Sequence, residues 1–394
     1  MADHARYRLL DEMRGIAAVG VVVFHVGTRG GGPVLLPNGF LAVDFFFMLS
    51  GFVIAEAYEQ RLLAGMSFRD FALRRLIRMA PVAMLGTLLG GAYLVARYAI
   101  APARSDALGA LMAGNLLNLF GLPKLWHGRA TGWELFPANG PLWSLFFEIA
   151  INLVWAAVLF GRSTRTLVLM VAASAVALVL CGVHAGTLHL GWEATSLAGG
   201  LARVSFGFGV GLLLHRARRI LPPMGGGAAL AAVAALIYFL ALPLHTMGWS
   251  LGVVLVCLPA VLALAVAAGE CAVLPAGALL GRLSYPLYGI HVPLIAVMAG
   301  AVKQAGSSPS GASPSGANPS GGWAMMVLVP LALVAAYGVL VCCDEPIRAA
   351  LARRIRAVSS HTADSRRRPV QDGVRPGTGS KVNLSDCEGT AATA

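Results

Sequence analysis

Apolar runs of about twenty residues recur along the chain, separated by short stretches rich in Gly, Pro, Asn and Arg. They predict helices over 12–28, 40–58, 80–99, 142–160, 167–185, 197–215, 227–243, 249–268, 283–301 and 324–343. At ~1.5 Å per residue, each run reaches most or all of the way across roughly 30 Å of hydrocarbon. Inside lipid the backbone must satisfy its own N–H and C=O groups, which leaves helices or a closed barrel, and the length of the runs selects helices. The pattern therefore points to an all-α, polytopic transmembrane bundle of about ten helices. A weaker apolar stretch, Ala107–Leu122, contains Asn115 and Asn118 and reads as a re-entrant or interfacial segment.

Composition agrees with the pattern. Hydrophobic residues make up 57% of the chain and charged residues only 12%, with mean hydropathy +0.74. A soluble domain of this size would expose more charge. The net charge of +12 would suggest nucleic acid in a soluble protein, but here the basic residues sit in loops and at the end of the chain. With the N-terminus inside, 23 of the 30 Lys and Arg residues fall on the cytoplasmic side, six fall outside, and Arg203 lies within a helix. That bias follows the positive-inside rule, places both termini in the cytoplasm and makes nucleic acid an unneeded partner.

Two polar segments need no chemistry. The run 306–322 is a flexible external linker by composition, and 347–394 is a basic, largely disordered cytoplasmic tail. Residues 1–346 then form the transmembrane domain, with its first helix retained rather than cleaved as a signal peptide. The six cysteines show no paired spacing, so neither a disulfide framework nor a metal site is expected.

Ionisable groups in hydrocarbon are costly and usually face a cavity or one another. The first helix carries Asp11, Arg14 and His25; eleven residues place Arg14 and His25 on one face, ~16 Å apart along the axis. The second opens with Asp44, and Gly51 shares its face. The following cytoplasmic loop presents Arg75 and Arg78 at i, i+3, a spacing that suits phosphate oxygens but by itself reads first as membrane anchoring. Ser144 and Glu148 lie at i, i+4 in the fourth helix, and Ser284, Tyr288 and His291 line one face of the ninth. Arg203 calls for a carboxylate partner, with Glu148 and Asp44 the candidates. The external stretch Leu125–Trp143 holds Trp126, Trp133, Trp143, His127 and Glu134, a set that suits either an interfacial belt or sugar stacking.

Taken in order, the segments LDEMRGIAAVGVVVFH, VDFFFMLSGF, RRLIRMAP, PLWSLFFE and GRLSYPLYGIHVP, closed by DEPIR, resemble the acyltransferase-3 family of membrane acyltransferases. The resemblance runs from Leu9 to Arg348. It implies a multi-pass protein of the bacterial inner membrane that moves an acyl group, often acetyl, from cytosolic acyl-coenzyme A to a sugar or similar hydroxyl. It implies His25 as base or acyl carrier and matches Glu148 to a recurring intramembrane polar position; with Asp44, which the residue reading offers for orienting the ring, these are the catalytic candidates. Arg14, Arg75 and Arg78 become the donor-binding candidates, and His291, Tyr288, Ser284 and Trp143 the substrate-binding ones. Acyl-coenzyme A is then a co-substrate, with no cofactor held permanently. Some members carry an extracytoplasmic domain that completes the transfer; without one, the chain is expected to finish the reaction alone, as monomer or homo-oligomer, or to hand over to a biosynthetic partner. The rival reading is a transporter or flippase without chemistry, since intramembrane His, Glu and Arg also mark substrate pathways.

Overall fold

Helix starts are set by backbone capping as much as by hydropathy, and this shifts two expected boundaries. The computed structural model describes residues 7–29, 33–244, 246–305, 321–351 and 353. Its helices are α1 (Arg8–Arg29), α2 (Ala42–Leu63), α3 (Phe68–Ile100), α4 (Leu108–Leu119), α5 (Leu142–Val154), α6 (Thr164–Ala185), α7 (Leu197–Ala217), α8 (Gly226–Ala241), α9 (Met247–Gly252), α10 (Leu258–Ala268), α11 (Gly277–Ala305) and α12 (Gly321–Val339). Single π turns extend α5 to Leu159 and join α9 to α10, and a third carries α12 into a helix ending at Leu351. No strand occurs among the described residues, only two isolated bridges.

Each of the ten expected helices is present, and the weak stretch forms the additional short helix α4. α3 begins at Phe68, twelve residues before its expected start, so Arg75 and Arg78 lie on a helix and not in a loop. The cause is local: Ser67 Oγ accepts the Asp70 N–H at 3.1 Å, a capping arrangement that hydropathy does not register. Pro81 is accommodated inside the helix. α11 likewise starts six residues early, at Gly277. The expected linker, apart from Gly321 and Gly322 at the start of α12, and the tail beyond residue 353 lie outside the described residues.

Among the described residues, eight helical stretches are long and apolar enough to span a membrane. α8 has 16 residues, and α1 carries Arg8, Asp11, Glu12 and Arg14 in its first two turns, so both fall short by that measure. α1 nevertheless lies inside the bundle, packed chiefly on α11. α2 and α7 are the most enclosed spans, whereas α6 and α12 present apolar side chains outward. Gly51 explains how α2 meets α7: a Cβ there would stand 2.1 Å from the Phe208 carbonyl oxygen. The two backbones touch, as small residues permit in membrane helix pairs.

Candidate active site

Four turns into α1, the His25 ring stands against α11. Its Nδ1 lies 3.0 Å from the Val21 carbonyl oxygen and 3.1 Å from His291 Nε2. His291 is fully buried, with Nδ1 at 3.0 and 2.9 Å from the carbonyls of Leu287 and Tyr288. Carbonyl oxygens only accept, so in both neutral rings the proton belongs on Nδ1. His291 Nε2 is then a lone pair that can accept from His25 Nδ1–H. This leaves the Nε2 lone pair of His25 as the one available to a substrate.

His25 lines a cavity of about 330 Å³, within the range of small-molecule sites. Phe24 and Arg29 of α1, Phe40, Glu134, Phe136, Trp143, His189, Trp192 and Tyr288 also border it. Two loops build its wall. The Leu135 N–H donates to the Trp192 carbonyl at 3.0 Å, and the Ala194 N–H to the Trp133 carbonyl at 2.9 Å, stitching the α4–α5 loop to the α6–α7 loop. Behind that wall Arg203 and Asp44, each only 1% exposed, form an ion pair at 2.7 Å. The same guanidinium donates to the carbonyls of Leu190 and Phe40 at 2.8 and 3.2 Å and sits 5.2 Å from the Trp143 ring centre. One buried cation thus anchors two stretches of the lining.

Outside the helices, burial raises the pKa of Glu134, although Arg29 and Lys124 oppose the shift. His189 faces the cavity; desolvation, with help from Arg203 and Arg29, lowers its pKa to about 4, so its ring is neutral at physiological pH. Lys124, 2% exposed, donates to Trp126 O, Thr131 Oγ1 and Gly132 O, while Asp106 accepts from Thr131 and the Ala130 N–H. These bonds make the α4–α5 loop a fixed structure.

At the other end of α1, a second polar group gathers. Arg14 donates to Ser284 Oγ and the Gly281 carbonyl, both at 2.9 Å, and pairs with Asp11 at 2.9 Å. Arg75 is buried and pairs with Glu148 at 3.1 Å; Ser50 Oγ donates to the same carboxylate oxygen at 2.8 Å. Arg78 is exposed and close enough to Arg14 and Arg75 to act on both electrostatically. Tyr285 donates to the Met79 carbonyl between α11 and α3.

The sequence-predicted residues therefore divide into two groups. His25, Tyr288 and Trp143 border the cavity with His291 directly behind His25, whereas Arg14, Arg75, Arg78, Glu148 and Ser284 gather at the opposite end of α1. Arg203 pairs with Asp44, one of the two carboxylates expected for it. Other expectations need correction. Neither Glu148 nor Asp44 bonds to His25, because each carboxylate is held by an arginine; the ring neighbour of His25 is His291. Arg75 is committed to Glu148, so the exposed guanidinium of the Arg-x-x-Arg pair is Arg78. Ser284 serves Arg14 and does not border the cavity, and His291 stands behind His25 instead of on the wall.

Sequence reasoning missed Arg29, His189 and Trp192, which sit at a helix end and in a loop without periodicity. The only signal was an aromatic three residues after a histidine, HLGW. Among the described residues no group of three His, Cys, Asp or Glu could hold a metal ion.

A family model described as an acyltransferase domain matches residues 8–344. Over 187 residues the chain is 35% identical to a Rhizobium radiobacter protein named protein 2 in the picA locus, covering 45% of this chain and 96% of that one. It is 28% identical over 165 residues to a Bacillus subtilis protein provisionally named a peptidoglycan O-acetyltransferase, covering 39% of this chain and 24% of the other. A Staphylococcus aureus protein of strain COL, provisionally named an O-acetyltransferase, is 32% identical over 78 residues, 19% of this chain and 12% of its own. The chain thus matches only a minor part of these last two relatives. No solved structure matches.

Proposed function

The chain belongs to the acyltransferase-3 family of membrane acyltransferases, and from that premise we propose that it moves an acetyl or similar acyl group from cytosolic acyl-coenzyme A to a hydroxyl of a sugar or related acceptor. One observation carries the reading. A single helix, α1, joins a guanidinium cluster at one end to a hydrogen-bonded histidine pair on a cavity at the other. In this proposal the cluster end faces the cytoplasm of a bacterial inner membrane, both termini lie on that side, and the cavity faces out.

Coenzyme A phosphates bind at exposed Arg78, with Arg14 adding charge and Arg75 held in place by Glu148. The acyl end reaches His25 from the cluster side of the bundle. There His25 Nε2 takes the proton of the acceptor hydroxyl as its oxygen attacks the acyl carbonyl carbon. The C–S bond then breaks, and the departing thiolate recovers the proton from His25. While His25 is an imidazolium, Nδ1–H still donates to His291 and Val21, so the charge is stabilised without moving a group. A covalent acyl-His25 intermediate uses the same lone pair as nucleophile.

The test is acyl transfer by purified protein in nanodiscs. His25→Ala is expected to lower the rate by at least ~10²-fold while coenzyme A binding persists. Substrate flux through proteoliposomes that needs no acyl-coenzyme A, together with full activity of the variant, would replace the enzyme by a transporter.

A further inference from the structure

The cavity has an outer part that the chemistry at His25 does not use. Arg29 and Glu134 both border it, and each feels the other's charge, yet they make no N···O contact within 4.0 Å. Among the described residues neither side chain has a hydrogen-bond partner; Arg29 is exposed and Glu134 half-buried, whereas the buried charges of the bundle are bonded. Beside them His189 and Trp192 stack, with ring centres 5.7 Å apart and planes at 26°. The indole N–H is already used, donating to the His189 carbonyl at 3.1 Å, so Trp192 offers the cavity surface and not a polar handle. Phe40 backs the stack, 5.3 Å from the His189 ring.

We infer that this outer part is the acceptor-selecting subsite, in which Trp192 packs on an uncharged sugar ring while Glu134 accepts from its hydroxyls and Arg29 donates to them. Resting on the acyl-transfer reading, this extends it to residues that decide which hydroxyl compound reaches His25. The physical reasons are three. A carboxylate facing a guanidinium across a gap too wide for a direct bond accommodates groups that both donate and accept, as hydroxyls do. A stacked aromatic pair offers apolar surface to the C–H faces of a ring. The Arg29 and Glu134 charges cancel, so an added ligand carboxylate meets a carboxylate with no surplus cation to offset it. Glu134 therefore selects against acidic sugars.

The test measures binding to the full chain in nanodiscs, without donor, at about pH 8, far above the ordinary carboxylate range. The probes are methyl β-glucopyranoside and its 6-carboxylate counterpart, methyl β-glucuronoside, observed by saturation-transfer NMR. The wild type is expected to prefer the neutral ring by about tenfold. Glu134→Gln, which breaks no bond within the protein, should erase most of that preference, and Trp192→Ala should weaken both sugars about tenfold, with Trp192→Phe restoring them. No binding of the neutral sugar, a preference for the glucuronoside, or an unchanged preference in Glu134→Gln would each overturn the subsite. Acetyl-coenzyme A-dependent acylation is followed separately. If selective binding persists without any acylation, the reaction falls and the subsite stands; if acylation proceeds without selectivity, the reverse holds.

Discussion

At the cavity end of α1 one hydrogen bond, His291 Nε2 to His25 Nδ1 at 3.1 Å, decides which nitrogen of His25 faces the cavity. Because His291 is locked by two carbonyls, it acts as a fixed acceptor. It is a positioning residue: it never reaches the cavity but holds the ring that does. Replacing His291 with Leu should lower kcat about 10- to 100-fold, the usual cost of losing a supporting partner, with KM for the acceptor unchanged. Gln, which can still accept, should recover part of the loss. Equal changes in kcat and KM would assign His291 to substrate contact instead. His189 allows a second residue-scale test. Its pKa is lowered to about 4 against an unfolded value near 6.5, so the unfolded chain binds the proton first. Its contribution to stability is therefore complete above about pH 6.5, declines as pH falls towards 4, and levels off below. Thermal unfolding between those limits should be less pH-dependent in His189→Gln than in the wild type.

At the level of elements, the Asp44–Arg203 pair ties α2 to α7 and, through Leu190 and Phe40, both helices to the cavity wall. A pair this buried costs desolvation, so its removal as a unit differs from its rupture. Asp44→Ala leaves a guanidinium uncompensated and should destabilise the protein by about 3–5 kcal/mol. Asp44→Ala combined with Arg203→Met should be less damaging than Asp44→Ala alone. Thermal unfolding in detergent reads both, and an additive or worse double variant would deny the coupling. The same two helices depend on Gly51 for contact at backbone distance.

For the whole molecule, function in this proposal rests on direction: arginines at one end of α1, histidines and an acceptor cavity at the other. The charge bias of the loops sets that direction when the chain inserts. Reporter fusions should place the chain end at residue 394 in the cytoplasm and the Lys124–Thr131 loop outside. Accessibility of that loop from the cytoplasm would invert the donor and acceptor sides and end the scheme.

The sequence by itself determined the presence of the ten expected helices and the family, because a lipid-spanning segment must be apolar, continuous and about twenty residues long, and each of these properties is local. It also singled out His25, Arg14 and His291, since an ionisable side chain among apolar ones is visible without a fold. Only the tertiary structure decided who partners whom. Glu148 and Asp44 looked equivalent as intramembrane acids, yet one meets Arg75 and the other Arg203, across 73 and 159 residues of chain. Likewise Glu134 and Trp192 become neighbours through bonds between two loops that no periodicity links. Helix formation follows from contacts within a few residues, whereas a site assembled from five helices and two loops depends on how their faces pack.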